Sequence, residues 1–310
     1  MLKWLQGRKT SDIVLAFALS NESVSIVVAQ ARTQALELIV SDAAEKDDRQ
    51  FAEVVDELLT KYSRYTRGDP SIVLVLGPSL YQSVALKRPK LPDEEIAAGL
   101  RYSLRDLVSL PPADIIADYY ESPIQLPGQN KINAVVADRN LLEPIMKTLH
   151  NASDNVLAVV AEEQAVERLF QDQENPAVVV CQSQQEPALL QVYRDGALQV
   201  NRSVASLEKL NQVSLDEIKM GALQPLSVEI QRSIDYFERQ LRQRPIKEIV
   251  LAISSKHQTL VTEQLTEDLG IDIRWAKYPE WTRELAAGDY TDFPAFGGAL
   301  VGYELWGEPE

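Results

Sequence analysis

Two segments of the chain share one pattern of apolar strands and short polar turns. The first, Ile13–Asp42, reads IVLAFAL-SNE-SVSIVVAQA-RTQ-ALELIVSD, and the second, Ala177–Val204, reads AVVVCQ-SQQEP-ALLQVYR-DG-ALQVNRSV. Each predicts three consecutive strands, and Asp195-Gly196 is a typical two-residue hairpin turn between the last two strands of the second segment. The same three-strand meander therefore opens two halves of the chain.

A duplicated opening of this kind predicts an α/β chain with the two-lobed, actin-like (ribonuclease H-like) fold. We expect a first lobe at 1–171 and a second lobe at 172–310, with the boundary in the polar linker Asp172–Pro176. Between about 82 and 151 the predicted order is strand, helix, two strands and a helix. Prolines bound the first of these helices on both sides. This stretch is expected to be an α+β subdomain inserted into the first lobe.

Three helix predictions rest on caps, breakers and apolar spacing. Asp47 and Asp48 are expected to open a helix that Gly68 ends. A helix at 93–108 should bury Ile96, Leu100, Leu104 and Leu107. In the second lobe, an apolar helical stripe is expected at Ile230, Ile234, Phe237 and Leu241.

The turn after the first strand of each meander contains no glycine. In ATP-hydrolysing actin-like proteins this turn carries Asp-x-Gly, because only glycine lets backbone N–H groups close on phosphate oxygens. Here the turns include Ser20, Asn21 and Glu22 in the first repeat, and Ser183, Gln184 and Glu186 in the second. Each turn also places a glutamate where phosphate charge would lie. The pattern predicts that ATP is not hydrolysed.

Composition narrows the function further. The chain has 310 residues, 45% of them hydrophobic and 25% charged, with a net charge of −15. This charge argues against sequence-independent nucleic-acid binding, which depends on Lys and Arg at phosphates. A single cysteine, together with the absence of a signal-peptide pattern or an 18-residue apolar run, favours a cytoplasmic protein. The basic start, with Trp4, is expected to be a frayed tail, the alternative being a weak membrane-surface contact.

Several reactive side chains are best explained structurally. Cys181 lies in an apolar strand and is expected to be buried and inert. His150 and His257, with one cysteine, cannot form a His/Cys zinc site, and no metal site is expected. Glu162 and Glu163 are adjacent on a helix and should point in different directions, so we expect acids at a helix start rather than a catalytic pair.

Four segments resemble the PilM family of actin-like proteins that take part in type IV pilus assembly. They are Pro92-Asp93-Glu94-Glu95-Ile96 through Leu110-Pro111, Val228–Phe237 (VEIQRSIDYF), Leu269-Gly270-Ile271, and Phe293–Leu300 (FPAFGGAL). Within that group the proteins of MSHA pili are the most similar. Together the segments span most of the chain, and Val228–Phe237 is the most specific. A ligand-binding role for Glu229–Arg232 follows from the family match, although bracing of the second lobe is the favoured interpretation.

The resemblance implies a binding partner rather than a substrate. The family's partner is the cytoplasmic tail of a PilN-like single-span membrane protein, which in an MSHA system would be MshJ-like. Such an extended tail is held by sheet-edge pairing and apolar pockets, and an acidic surface suits its basic residues. The inserted subdomain offers the candidate contacts, which are Arg101, Tyr102, Arg105, Tyr119 and Tyr120.

The sequence departs from the family's pattern in the turns that would contact a nucleotide. A Gly-Gly-rich turn would approach adenosine after the strand Ile249–Ile253, but Ser254 and Ser255 stand there. We therefore expect a non-catalytic scaffold without a cofactor, peripherally attached to the inner membrane through its partner. Residual binding of ATP and magnesium, and thus an ATP-binding switch, is the alternative. A platform protein of type II secretion is a further alternative, disfavoured because no membrane anchor follows Tyr303.

Overall fold

The computed structural model describes residues 11–33, 35–121, 124–125, 128, 130–183, 185–207, 209–282 and 285–306. The basic start with Trp4 therefore lies outside the described residues. The strands are β1 Ile13–Leu19, β2 Ser23–Arg32, β3 Ala35–Glu45, β4 Ser71–Leu76, β5 Tyr81–Lys87, β6 Ile115–Glu121, β7 Lys131–Asp138, β8 Val156–Ala161, β9 Ala177–Gln182, β10 Ala188–Arg194, β11 Ala197–Val204, β12 Glu248–Ile253 and β13 Asp272–Trp275.

Eight α-helices lie among the described residues. They are α1 Phe51–Lys61, α2 Asp93–Ser103, α3 Arg139–Ala152, α4 Glu162–Glu167, α5 Leu215–Lys219, α6 Gln224–Asp235, α7 Gln258–Leu269 and α8 Phe293–Trp306. Helix α6 continues into one π-helical turn at Tyr236–Gln240. None of the helices in the described part of the chain has the length and apolar character needed to cross a bilayer.

Two five-stranded sheets repeat one topology. Their orders are β3-β2-β1-β4-β8 and β11-β10-β9-β12-β13. In each sheet the meander strands are antiparallel, and the later strands join in parallel. The predicted hairpin turn is confirmed, since Asp195 and Gly196 both have positive φ, as a type I′ turn requires. The duplicated meander is thus the framework of both lobes.

The inserted subdomain has the predicted order of elements. Its sheet runs β5-β7-β6, and α2 covers one face, burying Ile96, Leu100 and Leu104. Helix α2 ends at Ser103 rather than at Val108, and Leu107 is 54% exposed, so its predicted burial is wrong. The chain turns irregularly after Leu104, which removes the helical spacing on which that prediction depended.

The predicted start of α1 is also wrong. The helix begins at Phe51 after a capping box formed by Gln50 and Glu53, while Asp47 lies in a turn with positive φ. It ends at Lys61 rather than near Gly68. The hydrogen bonds between Gln50 and Glu53 therefore determine where α1 begins, rather than the acidic pair Asp47 and Asp48.

One apolar core connects the two sheets. It includes Val14 and Val73 of the first sheet, Val179 and Val250 of the second, and Phe296 of α8. The opposite face of the first sheet packs against α1 and α3, and that of the second against α6 and α7. Helix α8 belongs by sequence to 172–310, but it packs on β1, β2 and β4 of the first sheet. The end of the chain therefore returns to the first lobe.

The predicted apolar stripe in the second lobe is confirmed. Ile230, Ile234, Phe237 and Leu241 are all buried in the core beneath the second sheet. Glu229 of the same segment accepts hydrogen bonds from Arg202 of β11 and from Arg232. The contact with Arg202 ties α6 to the edge of the sheet.

Candidate functional site

Three turns meet in the cleft between the lobes. They are the β1–β2 turn, the β4–β5 connection and the β9–β10 turn. Ser20 and Ser183, predicted on separate turns, both line one cavity of 140 Å³ together with Glu162 and Thr291. The structure therefore brings the two degenerate turns together. Two further candidate cleft residues, Ser254 and Ser255, follow β12 and do not line this cavity.

Glu186 crosses the cleft from the second lobe to the first. Its Oε1 accepts hydrogen bonds from the backbone N–H of Asn21 at 2.6 Å and from Ser79 Oγ at 2.8 Å. Its Oε2 accepts one from the backbone N–H of Ser79 at 3.0 Å. The side chain is fully buried. These hydrogen bonds, called the Glu186 bridge below, satisfy the carboxylate entirely with groups of the first lobe.

The local backbone directs Glu186 toward these donors. Gln185 adopts a positive φ of 54°, and the N–H of Glu186 donates to the Ser183 carbonyl, which together turn the chain sharply. The buried Gln182 side chain donates to the carbonyl of Glu186 at 3.0 Å. Gln184, also predicted to be a cleft residue, lies outside the described residues.

Gly77 makes the close approach to Glu186 possible. Its N–H donates to the Leu19 carbonyl at 2.8 Å. A Cβ at this position would lie 2.5 Å from that carbonyl oxygen and 3.3 Å from Glu186 Oε1. Any larger residue would push the β4–β5 connection away from β1. Sequence reasoning missed Gly77 and Ser79, because they follow β4 rather than a meander strand.

Glu162 and Glu163 are deeply buried, which their position at a helix start did not predict. Burial and repulsion from Glu186 and Glu163 raise the pKa of Glu162 well above its ordinary value. Burial also raises the pKa of Glu163, and the hydrogen bond that its carboxylate accepts from the Tyr81 hydroxyl opposes this shift. The signal that sequence reasoning overlooked is that both acids follow an entirely apolar strand and precede the buried Ala165 and Val166.

A groove of 690 Å³ lies between the inserted subdomain and the first lobe. Four consecutive residues of β6, Ile116 to Tyr119, line it, as do Val159 to Ala161 of β8. Since successive side chains of a strand point to opposite faces, a consecutive run means that the strand's edge borders the groove. Both strands are the last in their sheets. We call this feature the insert–lobe groove.

The candidate partner-binding residues are not brought together. Tyr119 lines the insert–lobe groove, and the ring packs beside Arg88. Tyr120 lines a second groove, of 550 Å³, between the inserted sheet and the edge of β11. Arg101 and Tyr102 are exposed on α2, and Arg105 is exposed just after it. These three residues line neither groove.

The single cysteine lies in an apolar strand, and the two histidines lie at helix ends. Cys181 is buried in β9, and burial raises the pKa of its thiol well above the ordinary value. His150 is exposed near the end of α3, and His257 is half-buried before α7. Within the described ranges, no group of three or more His, Cys, Asp or Glu side chains could hold a metal ion.

Similarity to solved structures identifies the fold of the chain. No family model and no curated protein matches the sequence. A chain of the "PilM-PilN type IV pilus biogenesis complex" is 16% identical, with a TM-score of 0.64, covering 97% of this chain and 100% of that chain.

Two further solved structures are similar. A protein of Bacteroides thetaiotaomicron described as having an actin-like ATPase fold and unknown function is 10% identical, with a TM-score of 0.53, covering 88% of this chain and 93% of that one. The cytoplasmic domain of EpsL, an inner membrane component of the Vibrio cholerae type II secretion system, is 13% identical, with a TM-score of 0.51 and coverage of 93% and 95%. The predicted two-lobed, actin-like fold is confirmed.

Proposed function

We propose that this chain is a non-catalytic scaffold of a type IV pilus assembly platform that binds the cytoplasmic tail of a PilN-like inner-membrane protein. Within that class we propose an MshI-like role in an MSHA pilus, with an MshJ-like partner, because the sequence most resembles the MSHA proteins of the PilM family. The likeness over the full length to a chain of a PilM–PilN type IV pilus biogenesis complex supports the role in a pilus platform. The protein would then be cytoplasmic and attached to the inner membrane through that partner.

The insert–lobe groove is the observation that carries the proposal. Strand β8 reads VLAVVA, and no strand pairs with its outer edge in the described part of the chain. Val159 of β8 and Ile116 of β6 are each 38% exposed, and both line the groove. Proteins normally protect the open edge of an apolar sheet with charged residues, prolines or a covering element. An edge without such protection can accept an added strand. An extended tail peptide could pair with this edge and place alternate side chains in the groove.

The two strand edges of the groove are not equivalent. The Asp118 carboxylate accepts a hydrogen bond from the N–H of Tyr119 at 2.8 Å, so this donor on β6 is already satisfied. Backbone pairing therefore favours β8. The acidic side chains of Asp118 and Glu143 outnumber Arg139 in the lining, which suits a basic tail.

The cleft supports a scaffold rather than an ATPase. Its cavity of 140 Å³ is smaller than the about 300 Å³ at the lower end of small-molecule pockets. The turns that would hold phosphate contain no glycine, and Glu186 brings negative charge to them. The donors of Asn21 and Ser79 already hold the Glu186 carboxylate, so they are not free to stabilise a transferring phosphoryl group.

The test is a binding measurement with a matched pair of variants. Val159→Lys places a charge on the edge of β8, whereas Val228→Lys places one on the exposed face of α6, where Val228 is 47% exposed. With a fluorescent peptide of the PilN-like partner's tail, we expect Val159→Lys to weaken binding by about tenfold or more, or roughly 1.4 kcal/mol. Val228→Lys should bind like the wild type. Equal losses in the two variants would contradict the groove as the site.

The same assay separates two tyrosines that the sequence grouped together. Tyr119→Ala should weaken binding by roughly 1–2 kcal/mol, since an aromatic contact in a groove is lost. Tyr102 is 74% exposed outside the groove, so Tyr102→Ala should have no effect. A loss with Tyr102→Ala alone would move the site to the outer face of α2.

A further inference from the structure

The donors of the Glu186 bridge form a site for a negatively charged oxygen pair. Two are backbone N–H groups, from Asn21 and Ser79, and the third is the Ser79 hydroxyl. They come from two separate turns of the first lobe and converge on one carboxylate. Convergent backbone N–H groups in turns are a common way for proteins to bind anions without a basic side chain. The bound anion here belongs to the second lobe of the same chain.

We propose that the first lobe carries a carboxylate-binding site at Asn21 and Ser79, and that Glu186 is its built-in ligand, joining the lobes without a nucleotide. The proposal concerns the cleft alone and does not depend on the pilus partner. It gives a physical role to the glutamate that replaces phosphate charge in the β9–β10 turn. It also assigns Gly77 a purpose, because a Cβ there would crowd the carboxylate.

The surroundings select a small monoanion over phosphate. Glu186 has no exposed surface, so its carboxylate occupies the space against the three donors. The buried Glu162 is close enough for the two acids to repel each other. A phosphate dianion would bring more charge and more oxygen atoms to the same place. We therefore expect an emptied site to take acetate, which reproduces the end of the glutamate side chain, better than inorganic phosphate.

Removal of Glu186 should create an acetate-dependent protein. Glu186→Ala removes three hydrogen bonds that join the lobes, so the melting temperature should fall by about 4 °C or more. Sodium acetate, titrated at constant ionic strength against sodium chloride, should restore part of this loss and reach saturation. Sodium phosphate should restore less. The wild type should melt at the same temperature in acetate and in chloride, because its site is filled.

A second substitution distinguishes a built site from a general salt effect. In the double variant Ser79→Ala/Glu186→Ala one donor is missing, so the response to acetate should be much weaker than in Glu186→Ala. Glu57→Ala removes an exposed carboxylate paired with Arg49 and serves as the surface control, with no acetate response. An acetate response of equal size in the single and double variants, or in the wild type, would overturn the proposal.

The isosteric variant keeps the test decisive if Glu186→Ala does not fold. Glu186→Gln fills the same space without the charge, and it should melt below the wild type and show no acetate response. A Glu186→Gln protein that melts at the wild-type temperature would overturn the proposal, since a neutral group would then suffice. A saturable acetate response in that variant would overturn it as well, because its site should be occupied.

Discussion

Two neighbouring carboxylates in the cleft differ in how far hydrogen bonds offset the cost of their burial. Burial raises the pKa of Glu186, but the three hydrogen bonds that its oxygens accept oppose this rise. Glu162 is buried to a similar degree, and no described residue donates a hydrogen bond that would offset the rise in its pKa. A buried charge without partners costs free energy, whereas a buried charge with donors need not. Glu162 should therefore destabilise the folded protein whenever it is ionised.

Glu162→Gln should stabilise the protein more at high pH than at low pH. Because the folded pKa of Glu162 is raised above its unfolded value near 4.5, the folded state retains a proton that the unfolded state releases. Stability of the wild type should thus fall as pH rises above about 4.5, by about 1.4 kcal/mol for each unit of pKa difference. Glutamine removes this dependence. Thermal melts at pH 5 and pH 8 measure it, with the exposed Glu57→Gln as control, and an equal effect of Glu162→Gln at both pH values would contradict it.

At the scale of elements, glycines allow α8 to lie close to its neighbours. A Cβ on Gly297 would lie 2.2 Å from the carbonyl oxygen of Ala165 in α4. A Cβ on Gly298 or Gly302 would meet valine side chains of the first sheet at 2.7 or 2.6 Å. Close helix contact of this kind is incompatible with any larger side chain. The glycine pair near the end of the chain thus has a packing role between α8, α4 and the sheet.

Two glycine-to-alanine substitutions in helices should therefore have opposite effects. Alanine favours a helix over glycine by about 1 kcal/mol in either case. At Gly99 of α2, the new Cβ meets only the end of the Leu91 side chain, which can move, so Gly99→Ala should be neutral or stabilising. At Gly297 the obstacle is backbone, so Gly297→Ala should cost roughly 1–3 kcal/mol despite the gain in propensity. Urea unfolding of both variants gives the comparison, and a stabilised Gly297→Ala protein would show that α4 and α8 separate easily.

The sequence predicted strands better than helix ends, for a physical reason. The apolar runs Ile13–Leu19 and Ala177–Gln182 are long enough to decide their structure locally, and both are strands in the structure. Leu107 was misassigned because helical spacing continues in the sequence beyond the point where α2 ends. The contacts of Glu186 with Ser79 join residues 107 positions apart, and no local pattern encodes such a pair. The turn carrying Glu186 could be predicted, but its partner could not.

For the whole molecule, the lobes are connected in two chemically different ways. The apolar core that includes α4 and α8 packs against one face of each sheet. The Glu186 bridge adds a polar connection at the mouth of the cleft. In an ATP-binding actin-like protein, a nucleotide would contribute part of this connection. Here side chains and backbone groups of the protein itself supply both the apolar and the polar connection. We therefore expect a structure that does not depend on a ligand.

The chain should therefore neither hydrolyse ATP nor be stabilised by it. A ligand at ten times its dissociation constant would stabilise the folded state by roughly 1.4 kcal/mol, which corresponds to a shift in melting temperature of about 3 °C for a chain of this size. We expect ATP with magnesium at millimolar concentration to cause no such shift, and phosphate release to match a blank. If release is seen, Ser20→Ala and Ser183→Ala decide its source, since both serines line the cleft cavity. Activity that persists in both variants would come from a contaminant, whereas activity lost on substitution would contradict the non-catalytic role.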